Sequence, residues 1–162
     1  MSYDTLVFDT GMTIIGIFSV KKREYQAYYG DDRRKAAQRL VRAQEIVSYN
    51  GKRYDVMDIS RALGLPERQR PSFKGVHRDM REIRWVNILG SNLRYTYSLH
   101  FPDAPSFPDT YEGSNQMDCY MAWKLWECWK EGGFPRECYS ESSSLPIRPA
   151  SLTRPVNRCR RP

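Results

Sequence analysis

Apolar and polar positions alternate between two periods along this chain. Thr5-Leu-Val-Phe-Asp9 is a short apolar run closed by a carboxylate, which predicts a first strand. Gly11 interrupts it, and the β-branched run Met12–Val20 predicts a second strand. Lys21–Glu24 reads as a charged turn and Tyr25–Tyr29 as a third strand, so the chain opens as an antiparallel meander. At Gly30-Asp31-Asp32 the period changes. Ala36, Ala37, Leu40 and Val41 fall on one face of a helix flanked by Arg33, Arg34, Lys35, Arg39 and Arg42. Glu45–Tyr49 predicts a fourth strand ended by the turn dipeptide Asn50-Gly51.

Val56, Ile59, Ala62 and Leu63 then predict a helix over Asp55–Leu63, stopped by Gly64. Residues 66–75 read as a loop and Val76–Met80 as a strand. From 84 to 110 the pattern is weak. Tyr95, Tyr97 and Leu99 alternate as in a strand, while Pro102, Pro105 and Pro108 indicate an irregular connection. Ser114–Glu131 is the clearest helix, with Asp118 one turn inside it and Gly132-Gly133 at its end. Trp123, Trp126 and Trp129 spiral round this helix, which predicts packing rather than a base-stacking stripe. The order predicts one α/β domain with a mixed sheet over residues 1–135 and a flexible tail over 136–162.

Composition narrows the class. With 40% hydrophobic residues, 11 Tyr, 6 Phe and 4 Trp in 162, the chain is not mainly disordered. It holds no apolar run of the roughly 18 to 20 residues that cross a bilayer, and its start lacks a signal-peptide pattern. A cytoplasmic protein with no membrane contact is expected. The formal charge is +7, but residues 140–162 hold five Arg and one Glu and so supply +4 of it. The rest is close to balanced, which weakens charge as an argument for nucleic acid. Cys119, Cys128, Cys138 and Cys159 form no C-x-x-C pair and match no zinc spacing, so reduced thiols are expected.

The candidate chemistry lies in three aspartates. Asp9 ends a strand, Asp55 follows the Asn50-Gly51 turn, and Asp118 lies in the last helix. Such residues also serve as ordinary helix and strand caps. Gathered at one sheet edge, they would supply the oxygen ligands that hard divalent cations need at a phosphodiester-cleaving site.

The words around them carry a resemblance. Leu6-Val-Phe-Asp9-Thr10-Gly11-Met12 resembles the first motif of the DEDD-type 3′–5′ exonucleases of the ribonuclease H-like fold. Asn50-Gly-Lys-Arg-Tyr54-Asp55 resembles their second, and Tyr111-Glu-Gly-Ser114-Asn115-Gln-Met-Asp118 their third. Val76-His77-Arg-Asp79-Met80 is similar to the His-x-Asp-Leu strand between the second and third. The resemblance spans residues 5–131. It implies a ribonuclease H-like mixed sheet flanked by helices and a metal-dependent 3′–5′ exonuclease acting on single-stranded DNA or RNA ends. It also implies Asp9, Asp55 and Asp118 as catalytic ligands to Mg²⁺ or Mn²⁺. Thr10, Gly11, Met12, Asn50, Tyr54, Ser114 and Asn115 would border the nucleic acid.

Two positions depart from the family pattern. Gly11 stands where the family has Glu, and Ser114 where it has the Tyr or His that orients water. Serine is a poor base, so Tyr111, His77 or a metal-bound hydroxide would have to substitute. A ribonuclease H-like module that binds without cutting is the alternative these losses suggest. A third reading is a helix-turn-helix, with Asp58–Leu65 as its first helix and turn and Phe73–Ile83 as its recognition helix.

Overall fold

The computed structural model describes residues 3–83, 92–101, 103 and 106–132. The expected tail, Pro102, Pro105, Cys138 and Cys159 lie outside the described residues. The elements are β1 (Thr5–Thr10), β2 (Ile14–Ser19), β3 (Glu24–Tyr29), α1 (Asp32–Arg42), β4 (Glu45–Ser48), α2 (Asp55–Leu63), β5 (Val76–Asp79), α3 (Leu93–His100) and α4 (Tyr111–Lys130).

The five strands form one mixed sheet in the order β3-β2-β1-β4-β5. β1 and β2 pair antiparallel, as do β2 and β3, whereas β1–β4 and β4–β5 are parallel. The fold is therefore α/β with a mixed sheet, as the hydrophobic pattern predicts. Strand β1 is apolar at successive positions because both its faces are covered. Val7 packs with Val47, Phe18 and α4, while Leu6 and Phe8 pack with Ala36, Ala37 and Leu40 of α1 and Ile59 of α2. The period-2 alternation thus divides the core into two layers, with the sheet between α4 on one side and α1–α2 on the other.

Helix α2 has the bounds its pattern predicts, and Gly64 ends it in the left-handed conformation, with φ of 71°. Three expectations about the elements are corrected. Tyr95, Tyr97 and Leu99 belong to α3, not to a strand. Asn92 caps that helix by accepting from the Tyr95 amide at 2.9 Å, and Thr96, Tyr97 and His100 bury at helical spacing. Helix α4 begins at Tyr111, three residues before the expected Ser114, because the Thr110 hydroxyl accepts from the Gly113 amide at 2.9 Å. Asp118 therefore sits two turns into α4. The helix-turn-helix reading also fails, since Val76–Asp79 pairs with β4 as a strand where a recognition helix would be needed.

The tryptophans pack as their spacing implies: Trp123 and Trp126 are buried and Trp129 is half-buried against the α4-side core. Cys119 is a free, buried thiol. Cys128, by contrast, is disulfide-bonded. Spacing along the sequence does not report which cysteines a fold brings together.

Candidate functional site

The parallel pairing of β1 with β4 brings the C-terminal end of β1 beside the turn that leads into α2, and α4 crosses the same edge. Asp9 is near the end of β1, on the α4 side. Its carboxylate Oδ2 accepts from Asn115 Nδ2 at 2.8 Å, and the same amide reaches the Asp9 carbonyl at 3.1 Å. Tyr25 of β3 donates its hydroxyl to Asn115 Oδ1 at 2.8 Å, fixing which way the amide faces.

This crossing depends on Gly16, which stands opposite Asp9 in the antiparallel register. A Cβ there would lie 1.7 Å from Asn115 Oδ1 and 2.7 Å from the Tyr25 hydroxyl. A glycine inside a strand run is the sequence signal for such a close approach, and it marks a partner that sequence reasoning did not assign.

On the other face, Thr10 points to α2. Its hydroxyl lies 2.7 Å from Asp55 Oδ1 and 2.8 Å from Asp58 Oδ2. One hydroxyl proton can serve only one of these acceptors at a time. Asp58 pairs with Arg61 as well. It is a fourth acid at this edge, and its i,i+3 spacing from Asp55 on a helix was the available signal.

Asp9 is electrostatically coupled to both other motif aspartates. Burial pushes the Asp9 carboxyl well above the usual range, and the charges of Asp55 and then Asp118 push it further, with Asn115 acting against them. Burial also raises Asp55, to about 6, opposed by hydrogen bonds from Thr10. Asp118 is raised by burial and held down by the Arg94 guanidinium. Buried, mutually repelling carboxylates favour either protons or a cation among them.

No known protein family, no curated protein and no solved structure matches this chain.

The donor chemistry of the edge fits a hard divalent cation, since Asp9, Asp55 and Asp118 offer carboxylate oxygens and little neutralising charge. The side chains as placed do not close a cage. Among the described residues, no three His, Cys, Asp or Glu side chains converge as metal ligands. A side chain at Gly11, where the family pattern has Glu, would have to displace Tyr111. A Cβ on Gly11 would lie 1.9 Å from the Tyr111 hydroxyl, which accepts from the Met12 amide at 2.9 Å. Tyr111 thus fills the space beside Gly11 and ties the start of α4 to the β1–β2 turn.

The remaining positions divide clearly. Met12 and Tyr54 are 89% and 57% exposed on this side of the molecule, and the Arg53 guanidinium lies 5.3 Å from the Tyr54 ring centroid. Asn50 adopts φ of 62° in its turn. Asp79 holds that turn, accepting from the Asn50 and Lys52 amides at 2.6 and 2.9 Å, so the carboxylate of His77-x-Asp79 has a structural task. Ser114 Oγ accepts from Arg94 Nη2 at 3.1 Å. His77 packs between Phe8 and Phe73 on the α1–α2 face and bonds Ser48 Oγ at 2.8 Å. It is therefore across the sheet from Asp9, and burial lowers its pKa to about 4.

Proposed function

We propose that this chain is a ribonuclease H-like domain that acts on the end of single-stranded DNA or RNA as a metal-dependent 3′–5′ exonuclease. The observation that carries the reading is the coupling of Asp9 with Asp55 and Asp118 at one sheet edge, from three elements far apart in sequence. The strand order β3-β2-β1-β4-β5 supports it, because that order puts the end of β1 beside the entry to α2 and beneath α4. Asp9, Asp55 and Asp118 would hold Mg²⁺ or Mn²⁺. The chemistry a bound cation supplies is Lewis-acid polarisation of a phosphoryl oxygen.

The protein's own groups have separable tasks. Asn115 orients Asp9 and offsets part of its charge through a hydrogen bond to Oδ2. Thr10 does the same for Asp55. The exposed Tyr54 ring offers a face for a base, and the exposed Met12 offers an apolar contact. Arg94, beside Asp118 and Ser114, is placed to meet a phosphate.

A second reading, binding without cleavage, is favoured by Tyr111 filling the space beside Gly11 and by Asn115 occupying one Asp9 oxygen. One experiment separates the two. End-labelled single-stranded DNA and RNA are incubated with the protein in Mg²⁺ and in Mn²⁺, beside an Asp55→Ala variant. Release of mononucleotides that the variant abolishes is the expected result. Retained strand binding without release assigns the binding module. Neither binding nor release overturns both readings.

A further inference from the structure

A cavity lies at the opposite end of β1 from the carboxylates, and it has the opposite charge. It measures about 590 Å³ and is lined by the N-terminal segment, the last two turns of α1 and the link to β4. That size is within the roughly 300 to 1,000 Å³ of small-ligand sites. Lys35, Arg39 and Arg42 bring three cations to it and Asp4 one anion. The C-terminal end of α1 adds roughly half a negative charge, so the cavity stays positive.

The anion in it is already satisfied. Asp4 accepts from Ser19 Oγ at 2.6 Å and the Lys21 amide at 3.0 Å, with Arg39 at 3.8 Å. Lys35 is paired with Asp32 at 2.6 Å. Arg42 is different. Among the described residues its guanidinium has no ion-pair or hydrogen-bond partner, and the side-chain amides of Gln38 and Gln44 likewise have none. Arg42 and Gln44 are exposed and Gln38 half-buried, so one cation and two amides face the cavity without a protein partner, and the exposed Tyr3 ring stands at the wall.

We infer that this cavity binds the phosphate group of a nucleotide, with Arg42 as its charged anchor, Gln38 and Gln44 as neutral donors and Tyr3 as a face for the base. Guanidinium and amide donors match phosphate oxygens in geometry, and an aromatic ring beside them favours a ligand that also carries a planar base. The inference does not depend on a cation site at the carboxylate edge. A free nucleotide and a nucleotide within a strand present the same chemistry.

The test is an NMR titration of the full chain in EDTA with AMP, with a 5′-phosphorylated single-stranded octamer, and with adenosine. AMP or the octamer is expected to shift the Gln38 and Gln44 side-chain amides in a saturable way, and adenosine to leave them in place. Saturation by AMP alone identifies a free nucleotide as the source, and tighter binding of the octamer identifies a strand. Arg42→Gln is expected to weaken binding at least about fivefold, and Arg34→Gln, on the same helix outside the cavity, less than about twofold. Unchanged resonances elsewhere report that both variants fold. Equal losses from the two variants overturn the inference, as does binding of adenosine as tight as that of AMP, or no saturable shift with either AMP or the octamer.

Discussion

Asp55 is buried against Thr10 with its pKa raised to about 6, and that value makes a signed prediction. A carboxyl that holds its proton more tightly when folded makes the folded state less stable once the pH rises through its folded pKa. Asp55→Asn keeps the oxygen that accepts from Thr10 and removes the charge. The metal-free variant is expected to be more stable than the parent by about 1–3 kcal/mol above pH 6. The gain should vanish below about pH 4, where the parent carboxyl is protonated in both states. Urea unfolding of both proteins across about pH 3 to 8 checks it. His77, with its pKa lowered to about 4 by burial, acts in the opposite sense, its contribution being lost as the pH falls from about 6.5. It cancels in the difference between the two proteins. Gly16→Ala is the steric counterpart. The added methyl must displace Asn115 and Tyr25, at a cost of about 1–3 kcal/mol in thermal unfolding.

Those two residues also mark how far the sequence was legible. Asp9, Asp55 and Asp118 stand out because each is set in a word whose flanking turn or apolar run is local. The role of Gly16 rests on its register with Asp9 and on α4 crossing above, and both are non-local. Tyr111 likewise gains its place beside Gly11 only from the folded chain.

At the level of elements, local signals decided the outcome where they were strong. Asn50-Gly51 and Gly64 bracket α2, and its bounds follow from them. Tyr95, Tyr97 and Leu99 satisfy a strand period, but the Asn92 cap and the helical spacing of Thr96, Tyr97 and His100 favour α3. Alternation over so short a run fits both periods, and the cap resolves it. Helix α4 starts early for the same reason, on the Thr110 hydroxyl. Thr110→Ala should therefore cost about 0.5–2 kcal/mol in urea unfolding and raise hydrogen exchange in the first turn of α4. That turn includes Tyr111, so the Met12 amide should exchange faster too. Slowed or unchanged exchange at Met12 would contradict the tie between α4 and the β1–β2 turn.

Across the whole molecule, the sheet separates two kinds of charge along one strand. The C-terminal end of β1 gathers Asp9, Asp55, Asp58 and Asp118, while its N-terminal end adjoins Arg39 and Arg42. Net charge alone hides this, because +7 over 162 residues describes neither end. Among the described residues no helix is long and apolar enough to cross a membrane. The mixed sheet was legible from the order of strand and helix patterns, since parallel strands need a crossover element such as α1 between β1 and β4. Which acids meet depended on strand order, which no local pattern reports.

The central claim is that Asp9, Asp55 and Asp118 together hold a divalent cation. Calorimetric titration of the full chain with Mn²⁺ near pH 7.5 tests it most directly, beside Asp9→Asn and beside Glu67→Gln as a surface control. Saturable binding that Asp9→Asn weakens at least about tenfold and Glu67→Gln leaves unchanged is the predicted result. Absence of saturable binding, or binding that Asp9→Asn does not alter, would contradict it.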